Sequence, residues 1–355
     1  LDGETIETLE PVMGYLHRNH EKIGERNTYI QNMPFTDRLD YISSMGNNLG
    51  YALAIEQLMS TGARYKPPTY RAEVIRVLMT ELTRIVNHLW SLGFLLNDLG
   101  AFFTPMLYAN NEREKILDFF EATAGSRLMC NYMRFGGVFK DIPERIKSVQ
   151  NLVNDRVRDY DTMQFLTEMI NDRLPRFLEE YDYYLTENEI VKSRCIGVGV
   201  LPPEMAVAYS ATGPLLRGSG VPYDVRRADP YSIYPELDFD IPVGVQGDIY
   251  DRFTVRMAEM HESLRILRQI LPRLEDTHGM EVAGNTQYSP RVPLGESYGR
   301  VENPKGELGY YVVSAGDSKG TQNAWRYHVR APSFINLTPL GPMSLGHKVA
   351  DVVTV

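Results

Sequence analysis

The segment from Tyr70 to Leu96 constrains this chain most. Val74, Val77, Leu78, Leu82, Ile85, Val86 and Leu89 recur at helical spacing on one side of it. A helix this long with one apolar side has to be covered by other helices. Candidates are Leu39–Met59, Glu112–Leu128, Asp141–Asp172 with Pro143 in its first turn, Leu174–Asn188 and Asp251–Leu274. Residues 1–13 read as weakly strand-like, and short strands follow Gln287: Glu307–Ser314 alternates partly and Trp325–Arg330 well. The expectation is an α+β chain, mainly α, with a large helical body, small β sections near both ends and one domain over residues 1–355. The acidic opening Leu1-Asp2-Gly3-Glu4 and the abrupt Asp351–Val355 ending suggest trimming at both termini.

Charge and cysteine content narrow the function. Thirty-seven Lys and Arg against 46 Asp and Glu leave a net charge of −9, which argues against a nucleic-acid partner. No apolar run approaches the roughly 18–20 residues that span a bilayer. The two cysteines, Cys130 and Cys195, form no Cys-x-x-Cys pair, so the chain alone holds no iron–sulfur cluster, four-cysteine zinc site or nickel–iron centre.

Several polar constellations remain. Met33–Ser43 places Tyr41, Asp37, Asp40 and Arg38 in a Pro34-broken segment ahead of an apolar helix. A phenol there suits proton donation to a bound carbonyl. His17-Arg18-Asn19-His20-Glu21 matches neither His-Glu-x-x-His nor His-x-x-Glu-His, leaving a solvated turn or a cation cluster facing a neighbouring redox group. Glu81, Arg84 and His88 fall on one helical face, a row that statistics assign to surface ion pairs and flanking apolar helices leave open as a buried polar file. Asp98 amid Phe94-Leu95-Leu96-Asn97 and Leu99-Gly100-Ala101 needs a partner if buried, and otherwise is a helix cap near Gly100. The Gly-rich segments Arg134–Gly137 and Gly213–Gly220 lack a nucleotide-binding pattern and read as tight turns; Gly316–Gly320, with Lys319, reads as a hairpin loop.

Gly14-Tyr15-Leu16-His17-Arg18, Asp37–Tyr41, Arg76-Val77-Leu78 to Asn87-His88, Asp98–Ala101, Tyr132–Val138 and Arg330–Phe334 together resemble the quinone-site subunit of respiratory complex I. The resemblance is collinear from Gly14 to about Gly346. It implies a fold like the nickel–iron hydrogenase large subunit, in which Asp40 and Ser43 stand where metal-holding cysteines would be. It further implies that Tyr41 hydrogen-bonds a quinone headgroup, that Asp98 pairs with a histidine on the opposite side, and that Arg18 lies near a 4Fe-4S cluster of a neighbouring subunit. By the same resemblance His17, Asp37, Arg38 and Asp40 belong near the quinone or cluster. Glu81, Arg84 and His88 are candidates for a proton relay on separate grounds, since a polar file can pass protonation changes toward a membrane arm.

The histidine partner of Asp98 lies, in the family, in a His-Pro-x-x-His-Gly segment upstream of the position of Leu1. The family's cluster-proximal histidine aligns near Met129, so the cluster potential is expected to vary weakly with pH, which potentiometric EPR on the assembled complex tests.

The implied activity is quinone reduction in a proton-translocating NADH:quinone oxidoreductase, with NADH used elsewhere in the complex. The implied partners are an iron–sulfur B-like subunit, a C-like subunit and a membrane-arm H-like subunit, on the cytoplasmic side of the cell membrane. A ferredoxin- or deazaflavin-driven relative and a hydrogenase-derived scaffold are the alternatives. An active hydrogenase is disfavoured by the missing Cys-x-x-Cys.

Overall fold

The computed structural model describes residues 1–62, 65–101, 103–150, 157–284, 289–315 and 320–355. Two short helices, α1 (His20–Arg26) and α2 (Tyr29–Thr36), lead to α3 (Ser44–Met59), α4 (Tyr70–Asp98) and α5 (Thr104–Ala124). Two small antiparallel hairpins follow, β1 (Met133–Arg134) with β2 (Gly137–Val138) and β3 (Arg145–Gln150) with β4 (Val157–Asp161). Then come α6 (Thr162–Glu168), a π-helical turn (Met169–Arg173), α7 (Leu174–Leu185) and α8 (Glu189–Cys195). Three short helices, α9 (Pro203–Ala208), α10 (Pro214–Gly218) and α11 (Val225–Ala228), precede the long α12 (Ile249–Asp276). A three-stranded antiparallel sheet of β5 (Gly295–Asn303), β6 (Gly306–Ser314) and β7 (Arg326–Arg330) lies late in the chain. The chain is thus a mainly α member of the α+β class, as the sequence implied.

α4 is the spine. Thr69 caps it by accepting a hydrogen bond from Ala72 N at 3.2 Å. All seven apolar residues that define its sequence pattern are buried, and α5 and α12 pack on it. The sheet lies on α3 because Gly299 carries no side chain: a Cβ there would come within 2.4 Å of Ala54 N. β5 and β6 are joined by the two-residue turn Pro304-Lys305, with Asn303 facing Gly306. Gly306 adopts φ +126°, open to glycine far more readily than to other residues, and so lets the hairpin tip pack against Thr212.

Several expected boundaries shift. The Asp141–Asp172 helix is instead a β3–β4 hairpin followed by α6. Ile146 and Tyr160 are buried facing partners across the strands, and the Asp161 side chain accepts from Gln164 N at 3.0 Å to start the helix there. The helix expected from Leu39 begins at Ser44, since the Asp40 carboxylate and carbonyl hold a turn by accepting from Ile42 N and Ser43 N. Pro34 does not break its segment but sits within α2. α5 starts at Thr104, earlier than Glu112, and Gly125 at φ 82° ends it before Leu128. Residues 1–13 form only isolated bridges, such as Asp2 with Thr5. The loop read at Gly316–Gly320 falls mostly outside the described residues.

Candidate functional site

The turn ahead of α3 and the end of α4 meet at a cleft of about 400 Å³. Tyr41 stands at one side and Asp98, the last residue of α4, at another. Asn87, Trp90, Ser91, Phe94 and Leu95 supply an α4 wall that is part aromatic and part polar. Tyr41 is 59% exposed, so its phenol projects into the opening and does not pack in the core. Asp98 is exposed as well, which makes the buried-carboxylate expectation moot.

Three cations line the same cleft: Arg252 and Arg256 from α12, and Lys305 from the β5–β6 turn. Arg252 is buried and donates to the carbonyls of Gly199 and Gly247 at 3.0 and 2.9 Å. Burial, reinforced by Arg256, pushes its guanidinium down to about 9, so it stays charged at neutral pH. Lys305 Nζ lies 3.1 Å from the Asp40 carboxylate. Asp40, one of the two residues that the resemblance sets in place of cysteines, is thus paired with an ammonium. No group of three or more metal-ligating side chains occurs among the described residues.

The sequence reading missed both arginines. A like-charged pair one helical turn apart, on a helix whose other side is apolar, was the available signal.

Behind the cleft, Glu81, Arg84 and His88 are sealed from solvent, which overturns the surface ion-pair reading of that row. His88 Nε2 donates to Glu259 Oε2 at 2.8 Å. Arg217 bridges Glu259 at 2.7 Å and Glu302 at 2.9 Å. Glu81 accepts from Arg84, Arg226, Tyr234 and Ser263. Burial drives the His88 imidazole down to about 4, so it is neutral at pH 7. Burial alone would raise the Glu259 carboxyl, but Arg217 and His88 outweigh it and hold the group ionised.

The other expected site residues lie apart from the cleft lining. His17 and Arg18 are exposed ahead of α1. Arg38 is exposed and donates to the Pro34 carbonyl at 2.5 Å. Asp37 is fully buried and accepts from Asn131 N at 3.4 Å. Burial pushes its carboxyl up to about 7 despite Arg38 and Arg134 nearby.

The described residues thus form a mainly helical body with a phenol, a carboxylate and three cations around one open cleft. Residues 98–290 and 280–355 match the family described as respiratory-chain NADH dehydrogenase, 49 Kd subunit. Relatives include a D subunit of the NADH-quinone oxidoreductase of Roseiflexus sp. (strain RS-1), 54% identical over all of this chain and 89% of its own length. The corresponding D subunits of Herpetosiphon aurantiacus and of Dehalococcoides mccartyi strain 195 are 50% and 48% identical, at the same coverage. The chain belongs to the 49 Kd subunit family of respiratory-chain NADH dehydrogenase.

Proposed function

We propose that this chain forms the headgroup end of a quinone site in a proton-translocating NADH:quinone oxidoreductase. The observation that carries this reading is the convergence of Tyr41 and Asp98, remote in sequence, on one cleft beside Arg252, Arg256 and Lys305. Two-electron reduction places negative charge on two quinone oxygens and calls for two protons. The Tyr41 phenol is suited to donate to one oxygen, and Asp98, with a histidine from outside this chain, to the other. The three cations favour the charge that develops. Trp90 and Phe94 offer apolar surface to the ring.

The electrons come from a 4Fe-4S cluster in a B-like subunit facing His17 and Arg18. The exposed phenol calls for such a partner to close the cleft, since charge stabilisation is strongest away from water. C-like and membrane-arm H-like subunits complete the surroundings, with the chain peripheral on the cytoplasmic side of the membrane. No helix among the described residues is long and apolar enough to cross it. Glu81, Arg84 and His88 then lie under the cleft as the route by which charge changes there reach neighbouring subunits.

Tyr41→Phe and Asp98→Asn in the assembled complex test the reading. Each is expected to lower quinone-reductase kcat by about a hundredfold, the scale of a lost proton donor, with assembly intact. Unchanged turnover in both would leave a scaffold role instead.

A further inference from the structure

The Tyr41 side chain does little to hold itself in place. It is 59% exposed, and among the described residues no hydrogen bond holds its phenol. Side chains in staggered rotamers go where their backbone sends them, so the main chain of the Asp40–Tyr41–Ile42 turn sets where the phenol stands.

That main chain is gripped from two sides. The Asp40 carbonyl belongs to the peptide unit that joins Asp40 to Tyr41. It accepts from Asn47 Nδ2 at 2.8 Å and from Ser43 N at 2.9 Å. Asn47 is buried at the end of the first turn of α3. Its amide oxygen is occupied in turn, because Asn303, the last residue of β5, donates to it from Nδ2 at 2.9 Å. The two amides form a chain with one sense. Turned over, the Asn47 oxygen would face the Asp40 carbonyl and its NH2 would face that of Asn303, acceptor on acceptor and donor on donor. Asn303 thus fixes which way Asn47 points, and Asn47 fixes the Tyr41 peptide. On the other side of the turn, the Asp40 carboxylate accepts from Ile42 N at 3.3 Å and from Lys305 Nζ at 3.1 Å.

The hairpin end that supplies Asn303 is itself anchored. Asn303 sits directly on α3 because Gly46 has no side chain there: a Cβ would overlap Asn303 Oδ1. Next to it, the Glu302 carbonyl accepts from the buried Arg84 at 2.6 Å. Past the turn, the Lys305 carbonyl accepts from Asn336 Nδ2 at 3.1 Å, and Asn336 also bonds both main-chain groups of Thr212, against which Gly306 packs. Buried amides are costly to leave unpaired, so this chain of bonds resists rearrangement.

We propose that Asn47 and Asn303 are positioning residues for quinone reduction: they clamp the peptide unit from which Tyr41 rises and so set where its phenol stands in the cleft. This rests on the quinone reading above and extends it from the proton donor to what aims it. A general acid works only within hydrogen-bond reach of the oxygen it protonates, and a misplacement of about 1 Å costs on the order of a hundredfold. Neither asparagine is in the cleft lining, so each acts through Tyr41 and not on the quinone.

Asn303→Ala and the near-isosteric Asn47→Asp test this in the intact purified complex. Asn47→Asp sets a carboxylate oxygen against the Asp40 carbonyl, and Asn303→Ala frees the Asn47 amide to turn over. Each is expected to lower quinone-reductase kcat by about tenfold with KM for quinone within about twofold, the split left by a misaimed proton donor. In a Tyr41→Phe background neither should lower kcat further, because the group they aim is gone. Independently of turnover, electron cryo-microscopy maps of the variant complexes should show the Asp40–Ile42 turn displaced while α3 beyond its first turn keeps its place. Should Asn47→Asp prevent assembly, Asn303→Ala carries every one of these readouts. Losses that multiply with that of Tyr41→Phe, or a turn that stays in place, would overturn the positioning role. Intact turnover in Tyr41→Phe alone, with the turn displaced in Asn303→Ala, would remove the quinone role of Tyr41 and leave the clamp standing.

Discussion

His88 Nε2 and Glu259 Oε2 lie 2.8 Å apart, sealed from solvent between α4 and α12. The contact joins the two longest helices directly beneath the cleft. Its strength depends on Arg217, which neutralises Glu259 from the other side. A buried hydrogen-bonded charge stays bearable only while its partners are present.

Glu259→Gln should therefore destabilise the chain by about 3–5 kcal/mol, because it leaves the buried Arg217 guanidinium short of a counter-charge. Denaturant titration of the complex followed by a probe on this subunit measures it. A loss under 1 kcal/mol would mean that the network rearranges.

Acid should act through His88. Its folded-state imidazole is lowered to about 4 from 6.5, so the unfolded chain binds a proton first. The stability given by the neutral ring is complete above pH 6.5 and lost as pH falls through 4, about 3 kcal/mol in all. His88→Gln should flatten the stability profile between pH 6.5 and 4.

Asp37 has the opposite sign. Its carboxyl is raised to about 7 from 3.8, so the folded chain keeps a proton that the unfolded chain has released. Its contribution is complete below pH 3.8 and lost as pH rises through 7, again a few kcal/mol. Asp37→Asn should raise stability at pH 8 relative to pH 5. Thermal melts of the complex at the two pH values decide this.

Lys305→Met separates chemistry from stability. The Lys305–Asp40 pair is partly exposed, so its loss should change stability by less than about 1 kcal/mol. Quinone-reductase kcat should still fall, because a cation leaves the cleft next to Tyr41. Equal losses in both quantities would make Lys305 a merely structural residue.

Gly306→Ala should be costly for backbone reasons. At φ +126° an alanine is strained, and its Cβ would meet Thr212 Oγ1 at 2.5 Å. A loss above about 1 kcal/mol is expected, with a raised KM for quinone as the Lys305 tip shifts. An unchanged KM would uncouple the hairpin from the cleft.

The helical body was legible because α4 and α12 carry apolar periodicity long enough to outweigh local exceptions. The β3–β4 hairpin was not. Arg145–Asp161 has too few residues of clear alternation to compete with the helical patterns on either side, and strand pairing is a contact between segments. Likewise the charge row Glu81, Arg84, His88 was visible, but its burial was not: a polar face reads as solvated until Arg217, Arg226 and Glu259 arrive from distant segments.

By itself the sequence determined the helical class, the absence of cysteine pairs and the identity of Tyr41 and Asp98 as chemical groups, because these follow from local periodicity and residue type. Only the tertiary structure decided that Tyr41 and Asp98 share a cleft, that Arg252, Arg256 and Lys305 stand around it, and that Asp37 is buried behind the turn. Position in space, burial and the field of neighbouring charges arise from contacts between remote segments, and these set what each group can do.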